Sequence, residues 1–259
     1  MDIATPKPVP PMDWPDPVEV VNESGLSDIV LTCEHASNHI PAEYRSLGVS
    51  APDLQRHIAW DIGVAGITRS LAALLDAPAF LGTYSRLLID LNRPLDSGSS
   101  IPQRSESTDI PGNLRLDPLE RQRRADAIFH PFHDCISAHL DKREKAGRRS
   151  RIVGIHSFTP VFYGKQRPWH AGVLCGKSRD YAESIVASLR EDTSLTVDLN
   201  VPYVIDRNDD YAVPVHGEDR NYPAILIEVR QDLLADADGI SLWTEKLFAA
   251  LRKSGDAGK

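Results

Sequence analysis

The chain has 259 residues, of which 41% are hydrophobic and 25% are charged, and its formal net charge is −8 at pH 7. This composition is typical of a globular α/β domain and is too polar for a membrane protein. The negative charge disfavours non-specific binding to nucleic acid or to anionic lipid, because both require a basic surface.

The N-terminal segment, at about residues 1–20, is rich in proline and predicts a stiff, extended arm. It lacks the basic start and apolar stretch of a secretory signal, and no run of about 18 apolar residues predicts a membrane span. Three cysteines, without close spacing, provide neither a disulfide framework nor a cysteine-pair metal site. We therefore expect a cytoplasmic protein with one domain over residues 1–259, since no repeat or linker divides the chain.

The first half of the chain predicts strands and helices in alternation. Residues 29–33 predict a short buried strand, and residues 52–75 carry apolar side chains at the spacing of one or two helices. Short strands are also expected over 79–81 and 87–91. Residues 96–113 are rich in serine, glycine and charged side chains, and predict a long loop of the kind that closes over binding sites.

The second half of the chain continues this alternation. A long amphipathic helix is predicted over 117–146, with Asp117 as N-cap, Pro118 in its first turn and Gly147 at its end. Further strands are expected over 152–156, 171–175 and 224–229, and further helices over 179–190 and 242–252. The order of elements predicts an α/β fold with a mostly parallel sheet covered on both faces.

Polar side chains follow several of these strands, where ligands collect in open α/β sheets. His35 and His156 each end a buried strand, and two histidines with one carboxylate form a familiar catalytic zinc set. The carboxylate is either Asp61, which interrupts an apolar stretch, or Glu34, next to His35. Asp61 is the first choice, although it is also suited to cap a helix beginning at Ile62.

Glu228 ends the most apolar strand, where an ionised carboxylate is costly unless it is paired or bound to a metal. If burial raises its pKa toward neutrality, Glu228 can take a proton from a metal-activated water and pass it to a leaving amine. The alternative is an ion pair with Arg230, which strand alternation places on the same face.

Two arginines, Arg86 and Arg93, flank a short predicted strand, and their planar guanidinium groups suit a substrate with one or two carboxylates. An arginine at this position could equally anchor a loop. His216 follows a proline-braced segment and is a candidate donor to the developing oxyanion, the alternative being a surface histidine.

Other kinds of catalysis have less support in the sequence. The motifs of serine esterases, P-loop kinases and dinucleotide-binding dehydrogenases are all missing. Cys33 alternates onto the same strand face as His35, which leaves a cysteine nucleophile as a weaker alternative to inert packing.

Together these segments resemble the N-formylglutamate amidohydrolase family, from about Ile29 to about Leu251. The segments that carry the resemblance are 33–38 (Cys-Glu-His-Ala-Ser-Asn), 85–86 (Ser-Arg), 90–93 (Asp-Leu-Asn-Arg), 155–158 (Ile-His-Ser-Phe), 167–170 (Arg-Pro-Trp-His) and 227–230 (Ile-Glu-Val-Arg). The family is similar in turn to the zinc carboxypeptidases and to the aspartoacylase or succinylglutamate desuccinylase group. The resemblance therefore implies a three-layer α/β/α fold with a mixed central sheet.

The resemblance also implies one Zn²⁺ per chain, bound by His35 and His156, with Glu228 as general base and acid. The substrate-binding residues of this interpretation are Arg86, Asn92, Arg93 and Ser157, and its catalytic residues are Glu228 and His216. Asn38 stands where the carboxypeptidase-like relatives have a glutamate ligand. The third ligand, Asp61 or Glu34, therefore does not carry over from those relatives.

The predicted activity is hydrolysis of the amide bond of a small N-acyl acidic amino acid, such as N-formylglutamate, by metal-activated water. One alternative is a carboxypeptidase-like peptidase that accepts short peptides in an open groove. Another is a non-catalytic protein that binds an N-acyl amino acid and binds zinc weakly. The expected partner is a small molecule, with neither nucleic acid nor membrane, and the chain is expected to be a monomer or a homodimer.

Overall fold

The computed structural model describes residues 14–256, so most of the predicted N-terminal arm lies outside the described residues. Where the described chain begins, the Trp14 ring packs against Tyr44 and Tyr84, with ring centroids 5.7 and 5.8 Å apart. The Tyr84 hydroxyl donates a hydrogen bond of 2.6 Å to the Pro15 carbonyl. This end of the arm therefore packs along the body of the protein.

The regular elements alternate along the chain, as predicted. The strands are β1 (Val18–Val21), β2 (Ile29–Cys33), β3 (Ala79–Gly82), β4 (Arg104–Ser105), β5 (Thr108–Asp109), β6 (Arg151–Phe158), β7 (Val161–Phe162), β8 (Lys165–Gln166), β9 (Ala171–Leu174), β10 (Val197–Leu199) and β11 (Ala224–Arg230). The α-helices are α1 (Val64–Leu74), α2 (Pro118–Arg124), α3 (His130–Lys145), α4 (Arg179–Leu189) and α5 (Ala237–Asp256).

Seven strands form one sheet, in the order β1-β3-β2-β6-β11-β9-β10. The four central strands β3, β2, β6 and β11 are parallel to one another, whereas β1 and β9 pair antiparallel with their neighbours β3 and β11. The predicted mixed, mostly parallel sheet is therefore confirmed. Its consequence is that the carboxyl ends of the four central strands lie at one edge.

Helices cover both faces of the sheet and create two hydrophobic cores. On one face, α1, α4 and α5 pack their apolar side chains on the sheet, among them Ile67, Ile185 and Leu247. On the other face, α3 and the turn before it contribute Phe129 and Phe132 to the second core. These layers confirm the predicted α/β/α fold.

The long helix predicted over 117–146 is confirmed from Pro118 to Lys145, with a π-helical turn at Ala125–Phe129. The Asp117 side chain caps it by accepting a hydrogen bond of 2.8 Å from the Leu119 N–H. The predicted strand over 87–91 is wrong. This apolar run is buried in the second core, but its backbone turns and has no ladder partner in the described sheet.

The helical pattern over 52–75 divides at residues 61–63. Only a short 3₁₀ turn at Asp53–Gln55 and helix α1 form, and Gly63 precedes α1 with a φ of 82°. A Cβ atom on Gly63 would lie 2.4 Å from the Leu234 Cβ, so glycine is required both by conformation and by space. In the part of the chain that the structure describes, no helix combines the length and the apolar character needed to cross a membrane.

Gly172 provides a test of this packing close to the edge that carries the polar residues. It lies opposite Glu228 in the β9–β11 pair, and a Cβ atom there would lie 1.6 Å from the Val201 carbonyl oxygen. We expect Gly172→Ala to lower the free energy of unfolding by at least ~2 kcal/mol, because backbone must shift to admit the methyl group. Urea denaturation measures this change.

The matched control is Gly98→Ala, because a Cβ atom at Gly98 meets nothing within 4 Å. This variant should change the free energy of unfolding by less than about 0.5 kcal/mol. Equal stabilities of the two variants would show that the β9–Val201 contact is not as close as described.

Candidate active site

The carboxyl edge of the central strands brings together the polar residues that end them. Glu34 and His35 follow β2, while β6 contains His156 and β11 contains Glu228. His156 and Glu228 are paired in the parallel register of β6 and β11. A cavity of about 390 Å³ opens at this edge, and His35, His156 and Glu228 line it.

His35, Asp61 and His156 form a buried cluster, and one candidate ligand atom from each lies within 4.8 Å of the other two. The Asp61 Oδ2 atom is 3.4 Å from His35 Nδ1 and 3.1 Å from His156 Nδ1. His35 Nδ1 is buried and has no hydrogen-bond partner. Two imidazole nitrogens and one carboxylate oxygen this close to one another form a donor set suited to a metal ion.

Each histidine ring is also held by a carboxylate at its other nitrogen. His35 Nε2 lies 2.7 Å from Asp90 Oδ1, and His156 Nε2 lies 2.8 Å from Glu34 Oε2. Such carboxylate–histidine pairs fix the tautomer and orientation of metal-binding imidazoles. Glu34 therefore lies on the side of His156 away from Asp61, which favours Asp61 over Glu34 as the third ligand.

Asp61 belongs to this cluster and not to a helix cap, because α1 begins at Val64 with Gly63 before it. Its carboxylate accepts from the Ser157 N–H at 3.2 Å and from Arg86 Nη1 at 3.3 Å. Arg86 Nη2 also bonds Asp90 at 2.9 Å. The site thus contains three buried carboxylates, Glu34, Asp61 and Asp90, against one partly buried guanidinium.

The electrostatics of the cluster favour a bound cation. Burial opposes ionisation of Glu34, yet the hydrogen bond and the charge of His156 lower its pKa to about 2. Burial likewise opposes ionisation of Asp61, but its histidine neighbours hold its pKa well below the usual value. His156 is affected in the opposite sense: burial disfavours its charged form, but Asp61 and Glu34 raise its pKa well above the usual value. A divalent cation at the Nδ1 atoms would supply the positive charge that this cluster stabilises.

Glu228 is almost fully buried at the cavity wall, and its Oε2 atom has no hydrogen-bond partner. Burial raises its pKa to about 8. The predicted alternative, an ion pair with Arg230, does not form, because Arg230 bonds Asp232 at 2.7 Å. Glu228 is thus a carboxyl group that can both accept and release a proton near neutral pH.

Arg86, Asn92, Arg93 and Ser157 all line the cavity, but each is already bonded. The Asn92 side chain accepts from the Ala212 N–H at 3.0 Å and donates to Asp210 at 3.2 Å. Arg93 bonds the same Asp210 carboxylate at 3.2 Å. Asn92 and Arg93 therefore anchor residues 209–212 to the cavity wall, and for Arg93 this is the loop-anchoring role that the sequence left open as an alternative.

The expectation for His216 needs correction. Its side chain is fully buried and does not line the cavity, and its Nε2 atom lies 2.9 Å from His133 Nδ1. His133 in turn bonds the Leu91 carbonyl at 2.8 Å. His216 is therefore neither a surface histidine nor placed to contact an oxyanion in the cavity, and it acts as part of a buried histidine pair.

Cys33 and Asn38 do not belong to the His35–Asp61–His156 cluster. Cys33 is buried in the first core, and burial raises its pKa well above the usual value, which disfavours a thiolate nucleophile. The Asn38 side chain donates to the Leu54 carbonyl at 2.9 Å. Asn38 thus has a structural partner outside the metal-ligand cluster.

Sequence reasoning gave no role to Asp90 and little weight to His57 as a metal ligand. Asp90, which orients His35, lies within the predicted 87–91 strand and in the 90–93 segment of the resemblance. His57 lines the cavity with its Nδ1 atom 3.4 Å from Asp61, and burial lowers its pKa to about 4. The helical spacing around residue 57 gave no signal that it faces Asp61.

Two hairpins complete the cavity wall, β4–β5 and β7–β8. The first supplies Arg104, Ser105 and Glu106, and the second supplies Phe162. The Tyr163 hydroxyl joins them by donating to the Glu106 carbonyl at 3.4 Å. Part of the predicted loop over 96–113 therefore does face the site.

Comparisons with known proteins show solved structures of similar fold. A crystal structure of the gene product Atu2144 from Agrobacterium tumefaciens is 36% identical, with a TM-score of 0.91 and coverage of 95% of this chain and 97% of that one. A structure of N-formylglutamate amidohydrolase from Ralstonia eutropha JMP134 is 17% identical, with a TM-score of 0.67 and coverage of 93% and 98%, and it supports the fold alone. None of the curated proteins compared matches the sequence.

The family model of N-formylglutamate amidohydrolase matches residues 27–235, which include every residue of the site described above. The chain belongs to the N-formylglutamate amidohydrolase family.

Proposed function

We propose that this protein is a zinc-dependent amidohydrolase that cleaves the amide bond of a small N-acyl amino acid, of which N-formylglutamate is the first candidate. The observation that carries the proposal is the buried His35–Asp61–His156 cluster in one cavity with Glu228. A donor set for a metal beside a carboxyl group of raised pKa is the arrangement that metal-assisted hydrolysis requires.

Zinc fits the donors, since it binds imidazole nitrogen and carboxylate oxygen, and catalytic sites use three protein ligands. When bound, the ion would polarise the acyl oxygen and lower the pKa of a water molecule toward about 7. Asp90 and Glu34 would hold the ligand histidines in the required orientation. Arg86 would limit the repulsion between the Asp61 and Asp90 carboxylates.

Glu228 is the proposed general base and acid. It takes a proton from the attacking water as the new bond to the acyl carbon forms. It then gives that proton to the amine nitrogen as the carbon–nitrogen bond breaks, so the carboxylate is regenerated. The raised pKa of Glu228, about 8, suits both steps near neutral pH.

The size of the cavity, about 390 Å³, favours a small substrate over a long peptide. The binding-protein alternative assumed weak zinc binding because position 38 is an asparagine. Since Asp61 can supply the third ligand, this asparagine no longer favours that alternative. A cytoplasmic location and a monomeric or dimeric state stay predictions.

Turnover of an N-acyl amino acid should depend on a removable metal. We expect the purified protein to release acid from N-formyl-glutamate or a related N-acyl amino acid, to lose this activity on chelation and to regain it with Zn²⁺. Formate or acid release together with elemental analysis measures this. A stoichiometric metal with no turnover of any N-acyl amino acid in the panel would count against the proposed reaction.

Metal affinity should distinguish the ligand from the orienting carboxylate. Asp61→Asn should weaken zinc binding by at least about 100-fold, because it removes a ligand, and Glu34→Gln by about 10- to 100-fold, because it weakens the hold on His156. Competition with a chromogenic chelator measures both dissociation constants. His39→Asn, at an exposed histidine, is the control. A larger effect of Glu34→Gln than of Asp61→Asn would reverse the two roles.

Replacement of Glu228 should separate catalysis from metal binding. Glu228→Gln keeps the shape but cannot exchange the proton, so kcat should fall about 100- to 10,000-fold. Zinc content should stay stoichiometric, since Glu228 is not among the proposed ligands. A variant that keeps more than a tenth of the wild-type kcat would remove Glu228 from the acid–base role.

A further inference from the structure

Arg167 lies behind the aromatic part of the cavity wall. Its side chain is largely buried, at 9% exposure, and its guanidinium carbon is 4.5 Å from the Phe162 ring centroid and 4.7 Å from that of Tyr203. Both rings line the cavity. A third ring, Phe158, lies 5.8 Å away. The guanidinium is therefore fixed by aromatic contacts immediately behind two side chains of the cavity wall.

No acid neutralises this arginine. Its Nη1 atom donates a long hydrogen bond of 3.4 Å to the Thr159 hydroxyl, and its guanidinium is near enough to the Tyr203 hydroxyl to oppose the rise in pKa that burial causes there. Among residues 14–256, Arg167 forms no ion pair. Because a largely buried guanidinium is costly without an anion, and aromatic contacts offset only part of that cost, Arg167 is suited to pair with an anionic ligand.

The three arginines that line the cavity differ from Arg167, because each is paired with a carboxylate: Arg86 with Asp61 and Asp90, Arg93 with Asp209 and Asp210, and Arg104 with Asp109. The wall also contains seven acidic side chains. A substrate carboxylate would be repelled by most of this wall, so a cation without an acid partner decides where it can bind.

The charge of Arg167 also acts within the site. Burial is the largest influence on the pKa of Glu228 and raises it, while Arg167 is one of the cations that oppose this rise. The same charge adds to the effect of burial in lowering the pKa of His57. The charge of Arg167 therefore acts on two residues that line the cavity, Glu228 and His57.

We propose that Arg167, with the Tyr203 hydroxyl beside it, binds a carboxylate of the N-acyl amino acid substrate and so determines the preference for an acid over its amide. This inference rests on the proposed function and assigns the substrate-binding role to a residue different from Arg86, Asn92 and Arg93. The planar guanidinium between two rings can present its N–H groups to a carboxylate in a fixed direction.

The test pairs a change in the protein with a change in the substrate. N-Formyl-glutamate is compared with its two monoamides, N-formyl-glutamine and N-formyl-isoglutamine, for the wild type and for Arg167→Gln. The variant should lower kcat/KM for N-formyl-glutamate by about 30- to 100-fold, mainly through KM, because a charge-assisted hydrogen bond is lost. For the monoamide that lacks the recognised carboxylate, the variant should lower kcat/KM by less than about 3-fold.

Controls separate recognition from a structural role. Arg167→Lys keeps the charge and should recover part of the preference for acid over amide, whereas Arg207→Gln, at an exposed arginine paired with Asp219, should leave the preference unchanged. Equal losses by Arg167→Gln on all three substrates would overturn the proposal, since that is the result expected if Arg167 only supports Phe162 and Tyr203.

A binding measurement keeps this inference distinct from the proposed function. If the wild type hydrolyses none of the three compounds, the proposed reaction fails, and calorimetry with glutamate and the zinc-loaded protein then tests Arg167 alone. A dissociation constant at least about 10-fold weaker for Arg167→Gln would support the carboxylate site. Equal binding of glutamate by the variant and the wild type would overturn it.

Discussion

The site depends on negative charge buried at the carboxyl edge of the sheet. Asp61 has no exposed surface, and Glu34 and Asp90 lie beside the same two histidines. Ionised carboxylates are costly in a protein interior unless hydrogen bonds and opposite charges compensate them. The fold supplies this compensation through the Ser157 N–H, two imidazoles and one guanidinium, and the remaining negative charge is what suits the cluster to a divalent cation.

The compensation requires that the strands keep their register. Thr32 pairs with Gly154 in the β2–β6 register. Two residues farther along each of these two segments, the Glu34 side chain is hydrogen-bonded to His156. The connection from β2 to α1 then returns to place Asp61 between the two histidines. The position of the proposed third ligand is thus fixed by tertiary structure and not by spacing along the sequence.

The parts of this arrangement that local pattern determines could be predicted. Apolar runs that end in His35, His156 and Glu228 indicated both the strands and their functional edge, because parallel strands end together. The prediction of a strand over 87–91 was wrong because apolar composition indicates burial, and a buried turn can have the same composition as a short strand. The buried position of His216 and the role of Asp90 depend on contacts across more than fifty residues, which no local pattern contains.

The arginines of the site also show that local sequence patterns do not reveal long-range contacts. Arg86 and Arg93 were predicted to bind substrate because their side chains suit carboxylates; in the structure both line the cavity and both are paired with the protein's own acids. What makes an arginine available is the lack of an internal partner, and that property appears only when every neighbour is known. Burial at the same cavity raises the pKa of Glu228 to about 8, so the wall in front of Arg167 also tunes the group proposed to transfer the proton. The proposed recognition and the proposed proton transfer therefore depend on one shared feature, the burial of Arg167 and of Glu228 beside the same cavity wall.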